Sequence, residues 1–103
     1  MNSQFPTRRS DALERRIAEL AARLRERRGI SQAALAQELG HDQSFVSKIE
    51  RGQRRMTVAE LLRWAEALGA SFTELSRELR DVWTELVKTE SIWEREKRSS
   101  GGG

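Results

Sequence analysis

Cysteine and tyrosine are absent from this 103-residue chain, and proline and histidine occur once each. The lack of cysteine removes disulfides, thiolate metal sites and a cysteine nucleophile together. It fits a reducing compartment. With His41 as the sole histidine and no second His or Cys near it, neither a Ser-His-acid triad nor a metal site can be assembled. A glycine-rich phosphate loop is also missing. No apolar run approaches the roughly 18 residues that would span a bilayer. The first ten residues, MNSQFPTRRS, lack the apolar segment of a signal peptide. The expectation is a cytoplasmic, nucleoid-associated binding protein without cofactor, metal or enzymatic activity.

What is present in quantity is charge. Lys and Arg number 19 against 16 Asp and Glu, and 16 of the 19 cations are arginine. Arginine forks onto phosphates and guanine edges, which lysine cannot do. Residues 1–69 carry 13 basic and 9 acidic groups, net +4, whereas residues 70–103 carry 6 and 7, net −1. A basic front of this kind suits a polyanion.

Apolar spacing and single glycines divide the chain into helices. Leu13, Ile17, Leu20 and Leu24 fall on one helical face. Ser10 is placed to cap that helix and Gly29 to end it. Ser31 caps a second helix that stops at Gly40, and Asp42 caps a third that stops at Gly52. Thr57 and Glu60 form a capping box for a fourth, ending at Gly69, and Ser71 and Glu74 form another for a fifth. Strand-like alternation of useful length is absent, so the fold class is all-α.

The fifth helix has no Gly or Pro from Phe72 to Gly101. Phe72, Leu79, Leu86 and Trp93 are seven apart, with Leu75 and Val82 between them, and Trp83, Val87 and Ile92 widen the stripe. A helix of about 25 residues exceeds what a small four-helix body can cover. Val82, Trp83, Leu86 and Trp93 are therefore expected to pair with a second copy, unless the helix bends back over the body. The organisation that follows is an arm at 1–9, a domain at 10–79, a helical extension at 80–98 and a flexible tail at 99–103. The SSGGG tail reads as a native terminus, a cut linker or a cloning remnant. The short chain leaves no room for a separate sensor domain.

Gln32–Arg51 carries the strongest signal: two helices of about eight residues around a turn containing Gly40. Ala36 is small where the helices cross. Val46 and Ile49 form the buried stripe of the second helix, opposite Leu35 and Leu39. Gln43, Ser44, Ser47, Lys48 and Arg51 are left exposed, a surface of donors, acceptors and cations suited to a major groove. Phe45 has two readings, a contact to a thymine methyl or an anchor on the body. Arg8 and Arg9 read either as a groove-binding arm or as a plain terminus. Trp64 reads as core.

The pieces LRERRGISQ (24–32), ALAQELG (34–40), VSKIERG (46–52) and LLRWAEALG (61–69) resemble the helix-turn-helix domain of lambda-type repressors and Cro proteins, the XRE family. The likeness covers roughly residues 17–79. It implies a five-helix lambda-repressor-like domain that binds double-stranded DNA, with an extended C-terminal helix. Carried onto matching positions, it implies base contacts by Gln43, Ser44 and Lys48. It implies phosphate contacts by Gln32, Ser47, Arg51, Arg54 and Arg55, with Gln32 also able to orient a recognition-helix side chain. It further implies a structural ion pair between Arg25 and Glu50. The function it points to is a homodimeric, sequence-specific transcriptional repressor. Two other functions suit the same fold: an antitoxin whose last helix covers a toxin, and a protein–protein adaptor.

Overall fold

The computed structural model describes residues 8–87, with burial resolved from Asp11 onward. Five α-helices follow one another: α1 (Arg8–Glu26), α2 (Gln32–Leu39), α3 (Gln43–Glu50), α4 (Val58–Leu68) and α5 (Phe72–Val82). A π-helical turn, Trp83–Val87, continues α5. No strand occurs among the described residues. Trp93 and the expected tail lie outside them.

Local chemistry explains most boundaries. Ser31 Oγ accepts the Ala34 N–H at 3.0 Å, and α2 ends on Gly40. Gly40 adopts φ +76°, a conformation that costs an L-residue roughly 1–2 kcal/mol, so the tight α2–α3 turn requires glycine there. Thr57 and Glu60 close the expected capping box at α4. At α5, Ser71 accepts the Glu74 N–H, while the Glu74 carboxylate turns away to arginines of α1. The expected box at Ser71 and Glu74 is therefore only half formed, and two further caps differ from expectation. Asp42 occupies the N-cap of α3 but makes no side-chain cap bond. Ser10 lies inside α1, which is already helical at Arg8 because no breaker follows Pro6 and arginine is a good helix former.

The core gathers Leu20, Ala21 and Leu24 of α1, Leu35 and Ala36 of α2, Val46 and Ile49 of α3, and Leu61, Trp64 and Ala65 of α4 around one centre. Trp64 is fully buried and donates its indole N–H to the Ala21 carbonyl at 3.0 Å. Among the described residues no buried side-chain polar atom lacks a partner.

α5 lies antiparallel along α1. Its early residues Glu74 and Glu78 meet Arg28, Arg27 and Arg23, and Glu85 further along meets Arg16 at 2.9 Å. This packing places two residues of the expected pairing seam against the body. Val82 is only 4% exposed and belongs to the core, and Leu86 packs against it. The stripe of α5 and the π turn faces α1 and the body because burying it there removes apolar area from water without a second chain. The large apolar side chains left exposed on this element are Phe72 and Trp83.

Candidate nucleic-acid interface

α2 and α3 pack on each other with Ala36 buried, and Val46 and Ile49 turn one narrow side of α3 inward. At about 100° per residue, the remaining side is an arc that runs from Gln43 through Ser47, Arg51 and Ser44 to Lys48. All are exposed except Ser47, which is half-buried. The five exposed recognition-helix positions expected from the sequence therefore share one surface.

One edge of that surface is held by a polar chain. Arg25 donates from Nε and Nη2 to the Glu50 carboxylate at 2.7 and 2.9 Å, and from Nη1 to the Ile30 carbonyl at 2.7 Å. Glu50 also accepts from Gln32 Nε2 at 2.9 Å, and Gln32 Oε1 accepts from Gln43 Nε2 at 3.2 Å. The expected Arg25–Glu50 contact is thus present as a two-point pair. Gln32 connects it to the recognition helix. A carboxylate only accepts, so Gln32 must turn its NH2 to Glu50 and its oxygen to Gln43. Gln43 is left with a free oxygen and one free N–H.

On the other edge, Phe45 folds back onto the body and packs against the core. The His41 ring lies parallel to it at 3.8 Å between centroids, and the Arg54 guanidinium lies over it at 4.8 Å. Of the two readings of Phe45, the anchor is the geometry present.

The remaining cations differ in how free they are. Lys48 is exposed, and among the described residues Arg51 reaches only Gln53 Oε1, at 3.2 Å. Arg55 is exposed, with Glu14 at 3.8 Å. Arg54, for which the resemblance implies a phosphate contact, is forked onto Glu60 at 2.9 and 3.0 Å. The bond from Arg54, then that from the Thr57 N–H, holds the Glu60 carboxyl below the usual carboxylate range.

Sequence reasoning missed a second polar cluster behind this surface. Glu74 and Glu78 sit at helical spacing from Arg77 and Arg80 of their own helix. They instead accept from Arg23, Arg27 and Arg28 of α1. The periodic cations of AARLRERR (21–28) were the available signal, but only packing shows which acids they meet.

No group of three or more acidic, His or Cys side chains that could hold a metal occurs among the described residues, and no described helix is long and apolar enough to cross a membrane. A short helix braced across another, with a polar and cationic outer arc, defines the helix-turn-helix class of DNA-binding transcriptional regulators. The chain belongs to the XRE-type helix-turn-helix family, whose model matches residues 22–75.

Its relatives carry names of regulators and not of enzymes. The uncharacterized HTH-type transcriptional regulator y4dJ of Sinorhizobium fredii is 43% identical over 54 residues, which is 52% of this chain and 70% of that protein. The HTH-type transcriptional regulator RamB of Mycobacterium tuberculosis is 47% identical over 74 residues, 64% of this chain. The chain spans only 16% of RamB's length. Among solved structures, the restriction-modification controller protein C.Esp1396I shares the fold. Its TM-score is 0.60 at 24% identity, with 76% of this chain and 95% of that one covered.

Proposed function

We propose that this chain is a sequence-specific repressor that acts in the cytoplasm as a homodimer, with α3 of each copy in the major groove. The observation that carries the reading is the directed chain Arg25–Glu50–Gln32–Gln43. It leaves Gln43 with one acceptor and one donor at the helix edge. That pair complements N6 and N7 of adenine. Ser44 and Lys48 complete the base-reading set, and Lys48 favours a guanine acceptor. Ser47, Arg51, Arg55 and the uncapped backbone N–H of Gln32 at the start of α2 hold phosphates.

The second copy docks on the outer face of α5. Phe72 and Trp83 are 76% and 54% exposed. They are eleven residues apart, three helical turns, and so share one side. Together they offer a second copy apolar area to cover. A two-fold dimer sets its recognition helices about 34 Å apart on a near-palindromic operator. Occupying promoter DNA then blocks transcription.

Selection of bound sequences from random duplex DNA tests base reading and symmetry together. The expected product is two inverted half-sites with adenine at one fixed position in each. Recovery of sequences with no common motif overturns the reading.

A further inference from the structure

We propose that Arg54 and Glu60 act as a positioning pair that sets the seat of the recognition helix, and hence operator discrimination, in place of a phosphate contact by Arg54. The inference rests on the reading of α3 as the helix that enters the groove.

Two braces flank α3. Gln43 lies on one side, tied through Gln32 to Glu50. Phe45 projects about 160° away around the helix. The His41 imidazole covers one face of its ring at 3.8 Å and 8°. The guanidinium of Arg54 lies over the same ring, 4.8 Å from the centroid. Arg54 is not free to swing. Its Nη1 and Nη2 fork onto the two oxygens of Glu60, and Nη1 also donates to the Arg55 carbonyl at 3.1 Å. Glu60 is fixed in turn, because Oε1 accepts the Thr57 N–H at 2.9 Å in the capping box of α4.

Four consecutive pieces are thereby stacked: the α2–α3 turn through His41, α3 through Phe45, the following loop through Arg54, and the start of α4 through Glu60. A phosphate on Arg54 would have to displace a two-point carboxylate, which already supplies the same planar acceptor geometry. The pair therefore acts on DNA through the angle at which it holds Phe45 and α3. A small rotation of α3 moves Gln43, Ser44 and Lys48 off their base edges, while the phosphate contacts outside α3, at Arg55 and the Gln32 N–H, stay in place.

The test uses the full chain as wild type, Glu60→Gln, Arg54→Gln and Arg54→Lys, each titrated with the selected operator and with a random duplex over a salt series. Glutamine at position 60 preserves the capping box, and lysine at 54 keeps the charge but cannot chelate. Thermal unfolding confirms that each variant is folded. The expected result is that Glu60→Gln and Arg54→Lys each lower the operator-to-random ratio about tenfold, the scale of one misplaced base contact. Random-DNA affinity and salt slope stay near wild type.

Arg54→Gln should match them, and combining it with Glu60→Gln should add little. The proposal is overturned if Arg54→Gln weakens both DNAs equally and flattens the salt slope by about one while Glu60→Gln tightens both. That pattern marks a phosphate contact and its intramolecular competitor. Unchanged discrimination in all variants also overturns it. A wild type that prefers no sequence defeats the functional reading itself, before any variant is compared.

Discussion

Arg25 and Glu50 meet across the contact of α1 with α3 as a two-point pair, with side chains only 12% and 7% exposed. Each fixes the other, and the carboxylate also orients Gln32. The pair joins the α1–α3 contact, through Gln32, to Gln43 at the start of α3.

Arg25→Met should lower the unfolding free energy by about 3 kcal/mol, because it strands a largely buried carboxylate. Urea denaturation measures this. The double variant Arg25→Met, Glu50→Leu should recover a large part of the loss, since an apolar pair strands no charge. Losses that simply add would show that the two residues are not coupled.

Acid should loosen α5 from α1. The bond from Arg28 is the main cause that holds the Glu74 carboxyl below its usual range. For Glu78, burial opposes the charge, but the bonds from Arg27 and Arg23 outweigh it and also lower it. Both groups bind protons less readily folded than unfolded. Their stabilisation is therefore fully present above the ordinary glutamate value of 4.5 and is lost as pH falls below it. Urea midpoints should hold between pH 7 and about 5 and then drop. Glu78→Gln should start lower and show a shallower drop. An equally steep acid limb in that variant would remove Glu78 from the explanation.

Lys48→Ala should cost about 1–3 kcal/mol on the selected operator and relax the sequence preference at one position. Gel-shift titration against operator and random duplex measures both. An equal loss on the two would make Lys48 a phosphate contact.

Trp83→Asp should give a folded monomer with much weaker operator binding, seen by sedimentation velocity at tens of micromolar. Leu86→Asp should behave differently and reduce stability, because Leu86 packs on the core. A wild type that sediments as a monomer at that concentration defeats the pairing of α5 faces.

Much of the fold was legible from local chemistry. Ser31, Gly40, Thr57 with Glu60, and Gly69 mark helix ends because each satisfies or relieves its own nearby backbone. The outward arc of α3 followed from the period of Val46 and Ile49, since a short helix with one buried stripe has one free side. The motif of residues 32–51 was equally readable, because turn, crossing residue and stripe all lie within twenty positions.

Choices between distant partners were settled by the tertiary structure. The stripe of α5 could cover a second chain or its own α1, and periodicity is the same in both cases. Packing assigns Val82 to the core and leaves Phe72 and Trp83 outside. Arg54 could take any nearby acid as its partner, and the fold places Glu60 within its reach. Glu74 and Glu78 could pair within their helix or across to α1, and the antiparallel lie of α5 selects the latter. The sequence by itself determined which residues are amphipathic, capped or cationic, because those are properties of neighbours along the chain. Which partner each of them takes depends on distance in space, and that only the packing of α1, α3 and α5 supplies.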